Sequence, residues 1–501
     1  MLNYVKSALK NSAIYSIGNV STKLIGIILV PLYTQHLSLK EYGILSILEV
    51  SSQLLVTIFS VNLYTAFFRW YWEKEYINRQ KSIFFTTFLS LFFISGLMIA
   101  GMYGFSSRLS MLLFDSSDFS YLIRLMSIAA ALQILMDLVS ALMRVQEKPV
   151  LYTSVNVTKL TIGLILTVYF ISGLHMGIDG IYKAQIISYL VYFILISRYL
   201  IKNMRLRLEM RILKEMFRFS LPLMISSVSG VLLSIADRFC LKFLGELSYV
   251  GIYSLGYKIA NTVKVFIISS VNLAISPIMY RVMDDPNNKR LYSKTMTYFA
   301  FGTMICVIGI SVFGQEIIKF LAQNEAYWNA YKVIPIISFG LFFEMLKDTS
   351  LIGLNITKKT PVIARIIISS SIINIALNLL LIPYFSYIGS ALASLVSQVT
   401  YFLLIYRSAQ KYYPVPYEMK KIGKIMLCGM VLIVFGLILS PYALWIRLTV
   451  KLLLILSFPF ILYLFNFYEP IEIQTIKGAW RKWRNPLNWK KNRSKVKLDS
   501  K

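Results

Sequence analysis

The chain has 501 residues, of which 57% are hydrophobic and only 15% are charged. A soluble globular domain carries about 25% charged residues, so this composition excludes an ordinary soluble protein. The formal net charge is +29, but the basic residues recur along the chain instead of forming one compact patch. Anionic membrane lipids are therefore the expected surface partner, and nucleic acid is not.

Apolar stretches dominate the sequence, and about fourteen of them are long enough to cross a bilayer, which takes roughly 20 helical residues. We therefore predict an all-α polytopic membrane protein with about 14 transmembrane helices. The predicted spans are 11–34, 42–66, 82–104, 120–143, 150–172, 179–200, 216–240, 249–274, 295–314, 327–354, 360–383, 387–407, 421–439 and 444–467.

The connections between these spans divide sharply by charge. Of the 52 Lys and Arg, 36 lie in the termini and in alternate connections, 5 lie in the other connections and 11 lie within spans. Because Lys and Arg are concentrated in cytoplasmic loops, we expect both termini in the cytoplasm and a multi-pass location in the plasma membrane.

Two short stretches repeat a pattern six spans apart. His36–Ser46 and Leu244–Ser254 both contain a polar turn followed by Gly-Ile-x-Ser. Copies six spans apart keep one orientation, so the axis that relates them would lie along the membrane normal. We predict an N-terminal lobe (1–200, spans 1–6), a C-terminal lobe (201–410, spans 7–12), an appended helix pair (411–467, spans 13–14) and a basic, aromatic cytoplasmic tail (468–501).

Charged side chains inside a bilayer are costly and usually face an internal cavity. Eleven cations within spans outnumber about five acids, and a cavity with surplus positive charge attracts anions. Lys183, Lys332 and Lys451 lie near span ends, where long side chains reach the head groups. The candidate substrate-binding residues, chosen on this chemistry, are Lys23, Arg124, Lys159, Arg238, Lys258, Lys264 and Arg365.

Two acids within spans, Glu49 and Asp237, are candidates for carrying a coupling proton or sodium ion. Either one would equally serve to neutralise a neighbouring cation. The three cysteines have no metal-ligand spacing, so we expect neither a metal site nor a cofactor.

Several motifs resemble those of the polysaccharide-export flippases, a family of the multidrug/oligosaccharidyl-lipid/polysaccharide superfamily. They are Pro31–Ser46, the stretch Phe67-Phe-Arg-Trp-Tyr-Trp-Glu73, and Asp237-Arg238 followed by Gly251-Ile-Tyr-Ser. The likeness in layout extends over about the whole chain. It implies a bacterial transporter that moves an undecaprenyl-pyrophosphate-linked oligosaccharide from the inner to the outer leaflet by alternating access, with polysaccharide polymerase machinery as a further partner.

Other functions stay open at this point. A lipid II flippase would fit the same spans and charges. A multidrug extruder fits less well, because a cationic cavity repels the organic cations that such proteins move. A membrane glycan polymerase or ligase needs paired catalytic groups, and the longest predicted outer loop, about 105–120, offers only Asp115 and Asp118. We therefore predict a transporter and not an enzyme; the sequence does not name the glycan or its polymer.

Overall fold

Long helices make up the protein, as the apolar pattern predicts. The computed structural model describes residues 26–269, 271–272, 275, 279, 282–283, 285–439, 443–470 and 472–474. Lys23 and most of the basic tail lie outside these residues.

Nine helices come from the first half of the described chain. They are α1 (Val30–His36), α2 (Leu39–Phe59), α3 (Leu63–Tyr71), α4 (Gln80–Phe114), α5 (Ser120–Val145), α6 (Pro149–Val168), α7 (Gly177–Lys202), α8 (Met210–Leu244) and α9 (Leu247–Ala260). Short π-helices, Tyr169–Gly173 and Lys264–Ile268, follow α6 and α9.

Six further helices follow. They are α10 (Asn288–Val312), α11 (Gly314–Leu321), α12 (Ile334–Ile356), α13 (Thr360–Tyr412), α14 (Met419–Ile438) and α15 (Leu444–Leu464). A 3-10 helix, Glu325–Lys332, precedes α12 and is bent by 41° relative to it.

The all-α polytopic membrane fold is confirmed. Within the described residues, ten helices are long and apolar enough to cross a membrane, or eleven if the bent pair before and including α12 counts as one span. One of these, α13, covers two of the fourteen predicted spans, while predicted span 1 lies mostly outside the described residues. Predicted span 8 is divided between α9 and a π-helix. The division into two six-helix lobes and an appended pair stays a prediction.

Helix α13 contains a sharp reversal where the sequence predicts a break between spans 11 and 12. Ser386 has φ 51° and ψ −131°, which is not helical, and Pro383 stands just before it. A Cβ atom on Gly389 would lie 2.3 Å from the carbonyl oxygen of Leu381. Glycine at this position therefore lets the two arms of the hairpin approach closely.

The motif Ser38–Glu41 starts α2 by a reciprocal cap. The backbone N–H of Glu41 donates to the Ser38 hydroxyl at 3.3 Å, and the backbone N–H of Ser38 donates to the Glu41 carboxylate at 2.8 Å. This is a capping box, which satisfies two backbone N–H groups that the helix leaves without partners.

Helix α8 is central to the molecule. It packs against α2, α3 and α4 on one side and against α9 and α13 on another. Residues on α8 consequently reach the cavities described next.

Candidate functional site

A central cavity of about 440 Å³ lies between α2, α8 and α9. Three cations and one carboxylate line it: Arg238 from α8, Lys258 from α9, Lys264 from the π-helix that follows, and Glu49 from α2. Four of the nine candidate residues predicted from the sequence therefore line one cavity. Polar neutral groups, among them Gln53 and Asn261, complete the wall.

Arg238 and Asp237 form a buried pair at the edge of this cavity. Their exposed fractions are 7% and 2%, and the guanidinium lies 3.5 Å from the carboxylate. The guanidinium also donates to the carbonyl oxygen of Ser234 at 3.1 Å and stacks over the ring of Tyr257 at 4.2 Å. Arg238 is thus held in place by a charge, a hydrogen bond and an aromatic face.

The Asp237 carboxylate is surrounded by donors. It accepts hydrogen bonds from the hydroxyl of Tyr253, from the backbone N–H of Arg238 at 2.9 Å and from the hydroxyl of Ser394 at 3.4 Å. These donors and the adjacent guanidinium give the Asp237 carboxylate its partners, and the carboxylate in turn balances the charge of Arg238.

Lys258 has a different environment. Its ammonium group lies 5.9 Å from the centre of the Tyr33 ring and 5.6 Å from that of Tyr42. Within the described residues no carboxylate lies within 4.0 Å of it. Glu49 is exposed to the same cavity. Lys258 therefore offers the cavity a positive charge without a close counter-ion.

Lys264 connects the central cavity to a second one, of about 400 Å³, between α8, α12 and α13. Its ammonium group is 2.7 Å from the Glu344 carboxylate. Lys347 on the same wall is 2.8 Å from Asp348 and 4.0 Å from Glu344. The charges of the second cavity are therefore largely paired with one another.

A third cavity, of about 430 Å³, lies between α2, α3, α5, α6 and α8 and is lined in part by Lys159. Lys159 is 9% exposed, and its ammonium group stacks over the Tyr189 ring at 4.9 Å. Asp137 and Arg144 line the same cavity. This candidate is therefore separate from the four that meet at the centre.

Two further candidates, Arg124 and Arg365, line none of these three cavities. Arg124 donates to the hydroxyl of Ser106 at 3.0 Å and stacks over the Tyr103 ring at 5.4 Å, so it ties α5 to α4. Arg365 is exposed near the start of α13. Lys23 lies outside the described residues.

One end of the central cavity is closed by the two copies of the Gly-Ile-x-Ser motif. A Cβ atom on Gly43 would lie 2.0 Å from the carbonyl oxygen of Leu247, and one on Gly251 would lie 2.4 Å from that of Leu39. Only glycine permits this approach of two backbones. The Tyr327 hydroxyl reinforces the closure by donating to the carbonyl oxygen of Leu37 at 2.8 Å.

The motif Phe67–Glu73 forms most of α3 and packs against α8 near the other end of the helices. The indole N–H of Trp70 donates to the Glu215 carboxylate at 3.5 Å, and its ring meets that of Phe219 at 5.4 Å. This motif therefore positions α8 and does not line the central cavity.

A family model described as "Polysaccharide biosynthesis protein" matches residues 8–283, which is more than half of the chain. The chain belongs to this family. A second model, described as "MatE", matches residues 222–380. The two matches confirm the resemblance drawn from the loop motifs and place the protein among the flippases and transporters of the multidrug/oligosaccharidyl-lipid/polysaccharide superfamily.

A curated relative of this polysaccharide biosynthesis protein is an uncharacterized membrane protein of Methanocaldococcus jannaschii, MJ1068. The two are 24% identical over 247 residues, which cover 46% of this chain and 48% of the relative. The match thus spans about half the length of the curated relative.

Solved structures share the fold of this family member over most of its length. The lipid II flippase MurJ in an inward closed conformation has a TM-score of 0.73 at 15% identity, covering 90% of this chain and 99% of its own. An inward-facing multidrug resistance MATE family transporter has a TM-score of 0.64 at 12% identity, covering 81% of this chain and 95% of its own. A transporter of the same superfamily from Pyrococcus furiosus has a TM-score of 0.59 at 15% identity, covering 84% of this chain and 96% of its own.

Both the family and these structural neighbours consist of transporters and flippases. The family supports the expected transporter, and the expected multi-pass membrane protein is confirmed. Sequence reasoning missed the role of Gly43 and Gly251 and the polar wall of the third cavity. The repeated Gly-Ile-x-Ser was the signal for the two glycines. The wall of the third cavity joins residues from five helices and has no pattern in the sequence.

Proposed function

We propose that this protein carries an undecaprenyl-pyrophosphate-linked oligosaccharide from the inner to the outer leaflet of a bacterial plasma membrane for surface polysaccharide synthesis. The observation that supports this most is the set of three cations, Arg238, Lys258 and Lys264, around the central cavity.

The charges suit a pyrophosphate. Arg238 and Lys264 each have a carboxylate partner outside or at the rim of the central cavity, so their placement does not depend on a ligand. Lys258 lacks one within 4.0 Å in the described residues, so a bound anion would complete its pairing. A guanidinium fork and two ammonium groups offer both the planar and the point-charge modes of phosphate binding.

The closed end supports alternating access. The backbones of α2 and α9 touch at Gly43 and Gly251, so a head group in the central cavity cannot leave past them in this conformation. Transport would require the two helices to separate there while the opposite end closes. By the charge pattern of the loops, the closed end faces outside and both termini face the cytoplasm.

Glu49 and Asp237 stay the proposed coupling residues. Glu49 is exposed to the central cavity and is placed to exchange a proton with water there. Asp237 is buried and paired with Arg238, so an ion would reach it only after that pair rearranges. Anionic lipids and the polymerase machinery stay the proposed partners.

Lipid II is the alternative substrate, since its pyrophosphate would meet the same cations. The polysaccharide biosynthesis family match favours the oligosaccharide lipid. An organic cation is disfavoured, because three cations face one carboxylate around the central cavity.

The sidedness of the lipid-linked oligosaccharide in depleted cells tests the proposal. Spheroplasts are treated with an impermeant sugar-oxidising label, and intermediates should accumulate unlabelled on the inner leaflet. The intact gene should restore labelling, and Lys258→Met should reduce it at least ten-fold. Lys332→Met is the matched control, since Lys332 is an exposed lysine outside the three cavities, and it should behave as wild type.

Two results contradict the proposal. Intermediates that accumulate labelled on the outer leaflet would place the protein after flipping, as for a polymerase or ligase. If no intermediate accumulates, the substrate is a different lipid or a drug.

A further inference from the structure

The third cavity, between α2, α3, α5, α6 and α8, has a mostly polar lining. Eleven of its thirteen lining residues carry a side chain that is able to form hydrogen bonds. Only three of them are charged: Asp137, Arg144 and Lys159. Among the described residues, the central cavity has three cations against one carboxylate, while the third has two cations against one carboxylate. The central cavity therefore has the larger surplus of positive charge.

We infer that the third cavity binds sugar residues of the transported lipid while the central cavity holds its pyrophosphate. This inference rests on the proposed function. A sugar ring presents several hydroxyls, each both a donor and an acceptor, and burying them is favourable only where the protein offers matching partners.

Unused hydrogen-bonding groups face this cavity. Within the described residues, the Asp137 carboxylate accepts no hydrogen bond and lies within 4.0 Å of no cation. The Tyr64 hydroxyl likewise has no hydrogen-bond partner there. Asn156, 6% exposed, donates to the carbonyl oxygen of Tyr152 at 2.7 Å, which leaves its amide oxygen for another donor.

The other lining groups are held by their neighbours. The side-chain amide of Asn62 donates to the hydroxyl of Ser227 at 3.2 Å and its oxygen accepts from Thr65 at 2.7 Å. The guanidinium of Arg144 stacks over the Phe68 ring at 5.0 Å. Fixed donors and acceptors beside unused ones make a preorganised site, which lowers the entropy lost when a ligand binds.

The three cavities adjoin in series: the third adjoins the second, and the second adjoins the central one. Ser227 of α8 lines both the third and the second cavity, and Ser234, Tyr257 and Lys264 line both the second and the central one. At about 430 Å³, the third cavity lies within the range of about 300–1,000 Å³ of small-molecule sites. A head group that continues from the pyrophosphate therefore has a polar space to enter.

Two lipid probes in proteoliposomes that contain the full chain separate the roles of the cavities. One probe is undecaprenyl pyrophosphate with a single N-acetylglucosamine, and the other is the lipid-linked oligosaccharide extracted from cells depleted of the protein. The variants are Asp137→Asn, Asn156→Ala and Tyr64→Phe. Each removes or alters one unused group, and Asn156→Ala also removes the donor to the carbonyl oxygen of Tyr152. Loss of one buried hydrogen bond should slow flipping of the oligosaccharide lipid about ten-fold and that of the one-sugar lipid less than two-fold.

Thr158→Val is the matched control, because Thr158 is exposed on α6 two residues from Asn156; it should slow neither probe. Lys258→Met should slow both. Equal slowing of both probes by the cavity variants, or no slowing of either, would overturn the sugar site while leaving the proposed function intact. If the wild-type protein flips neither probe, the proposed function itself fails. Tyr64→Phe removes one oxygen atom only, so it stays informative if a larger change prevents folding.

Discussion

The side-chain oxygens of Ser46 and Ser254 lie 2.6 Å apart in a buried hydrogen bond, although 208 positions separate the two residues in the chain. They hold the same place in the two copies of Gly-Ile-x-Ser, each three residues after a glycine whose missing side chain lets the helices touch. Equivalent residues meet in this way when an axis relating two repeats passes between them.

Replacing Gly43 by alanine should weaken this closed end. The added methyl group would stand 2.0 Å from the Leu247 carbonyl oxygen, so α2 and α9 must move apart. We expect disulfide formation between Ser46→Cys and Ser254→Cys to be near complete in the otherwise unchanged protein and several-fold slower with Gly43→Ala. Gly96→Ala, where no atom lies within 4 Å of the added Cβ, should leave the rate unchanged; an equal rate with Gly43→Ala would contradict the close contact.

Asp237→Asn should destabilise the protein strongly. Arg238 is 7% exposed, and the variant leaves its charge without a carboxylate. Breaking a buried pair in this way costs about 3–5 kcal/mol, which thermal unfolding of the purified protein in detergent will report. Adding Arg238→Gln should recover most of the stability but not transport. If the single variant unfolds at the wild-type temperature, Asp237 does not balance Arg238.

A cluster of charges where the start of α10, the start of α14 and the chain after α15 meet should make stability depend on pH. Lys294 lies 2.8 Å from Glu418 and also pairs with Glu469, while Lys421 is 3.0 and 3.3 Å from the same two carboxylates. Hydrogen bonds from Lys294 and Lys421 hold the pKa of Glu469 below its usual value. Burial alone would raise the pKa of Glu418, but the hydrogen bonds from Lys294, Thr297 and Lys421 outweigh it and lower that pKa too.

A carboxylate whose pKa is lower when folded stabilises the protein above its unfolded pKa, and that contribution is lost as the pH falls through the folded value. The melting temperature of the wild type should therefore exceed that of Glu469→Gln at pH 7. The difference should shrink as the pH falls from the ordinary glutamate value of 4.5 through the lower pKa that Glu469 has in the folded protein. The difference will be modest because the cluster is partly exposed. If the difference in melting temperature between the wild type and Glu469→Gln instead grows as the pH falls, the pKa of Glu469 is not lowered in the folded protein.

The orientation inferred from the loop charges has its own test. A reporter fused after Arg447 should be found outside, and one fused after Lys477 inside, because the strongly basic tail favours the cytoplasm. If both reporters are found on the same side of the membrane, the predicted number of spans is wrong.

Much of the fold was predictable, because the local composition of the chain identifies its membrane-spanning segments. The break between spans 11 and 12 appears at Ser386, where Pro383 interrupts the apolar run. The face that a side chain presents depends on packing, which composition does not encode. Arg238 and Lys258 share a cavity, whereas Arg124 ties two helices together. Lys451, predicted to reach the head groups, is instead 1% exposed and 2.8 Å from Glu316; that prediction was wrong because its partner lies 135 positions away.

Helix α8 supplies wall residues to all three cavities: Ser227 to the third, Ser227 through Asp237 to the second, and Ser234 with Arg238 to the central one. A small molecule lodged against the stretch 227–238 would consequently deform three binding surfaces with one contact. These twelve residues are therefore the stretch where one bound inhibitor would affect all three cavities. Substitutions that confer resistance to such an inhibitor should first appear in the same stretch.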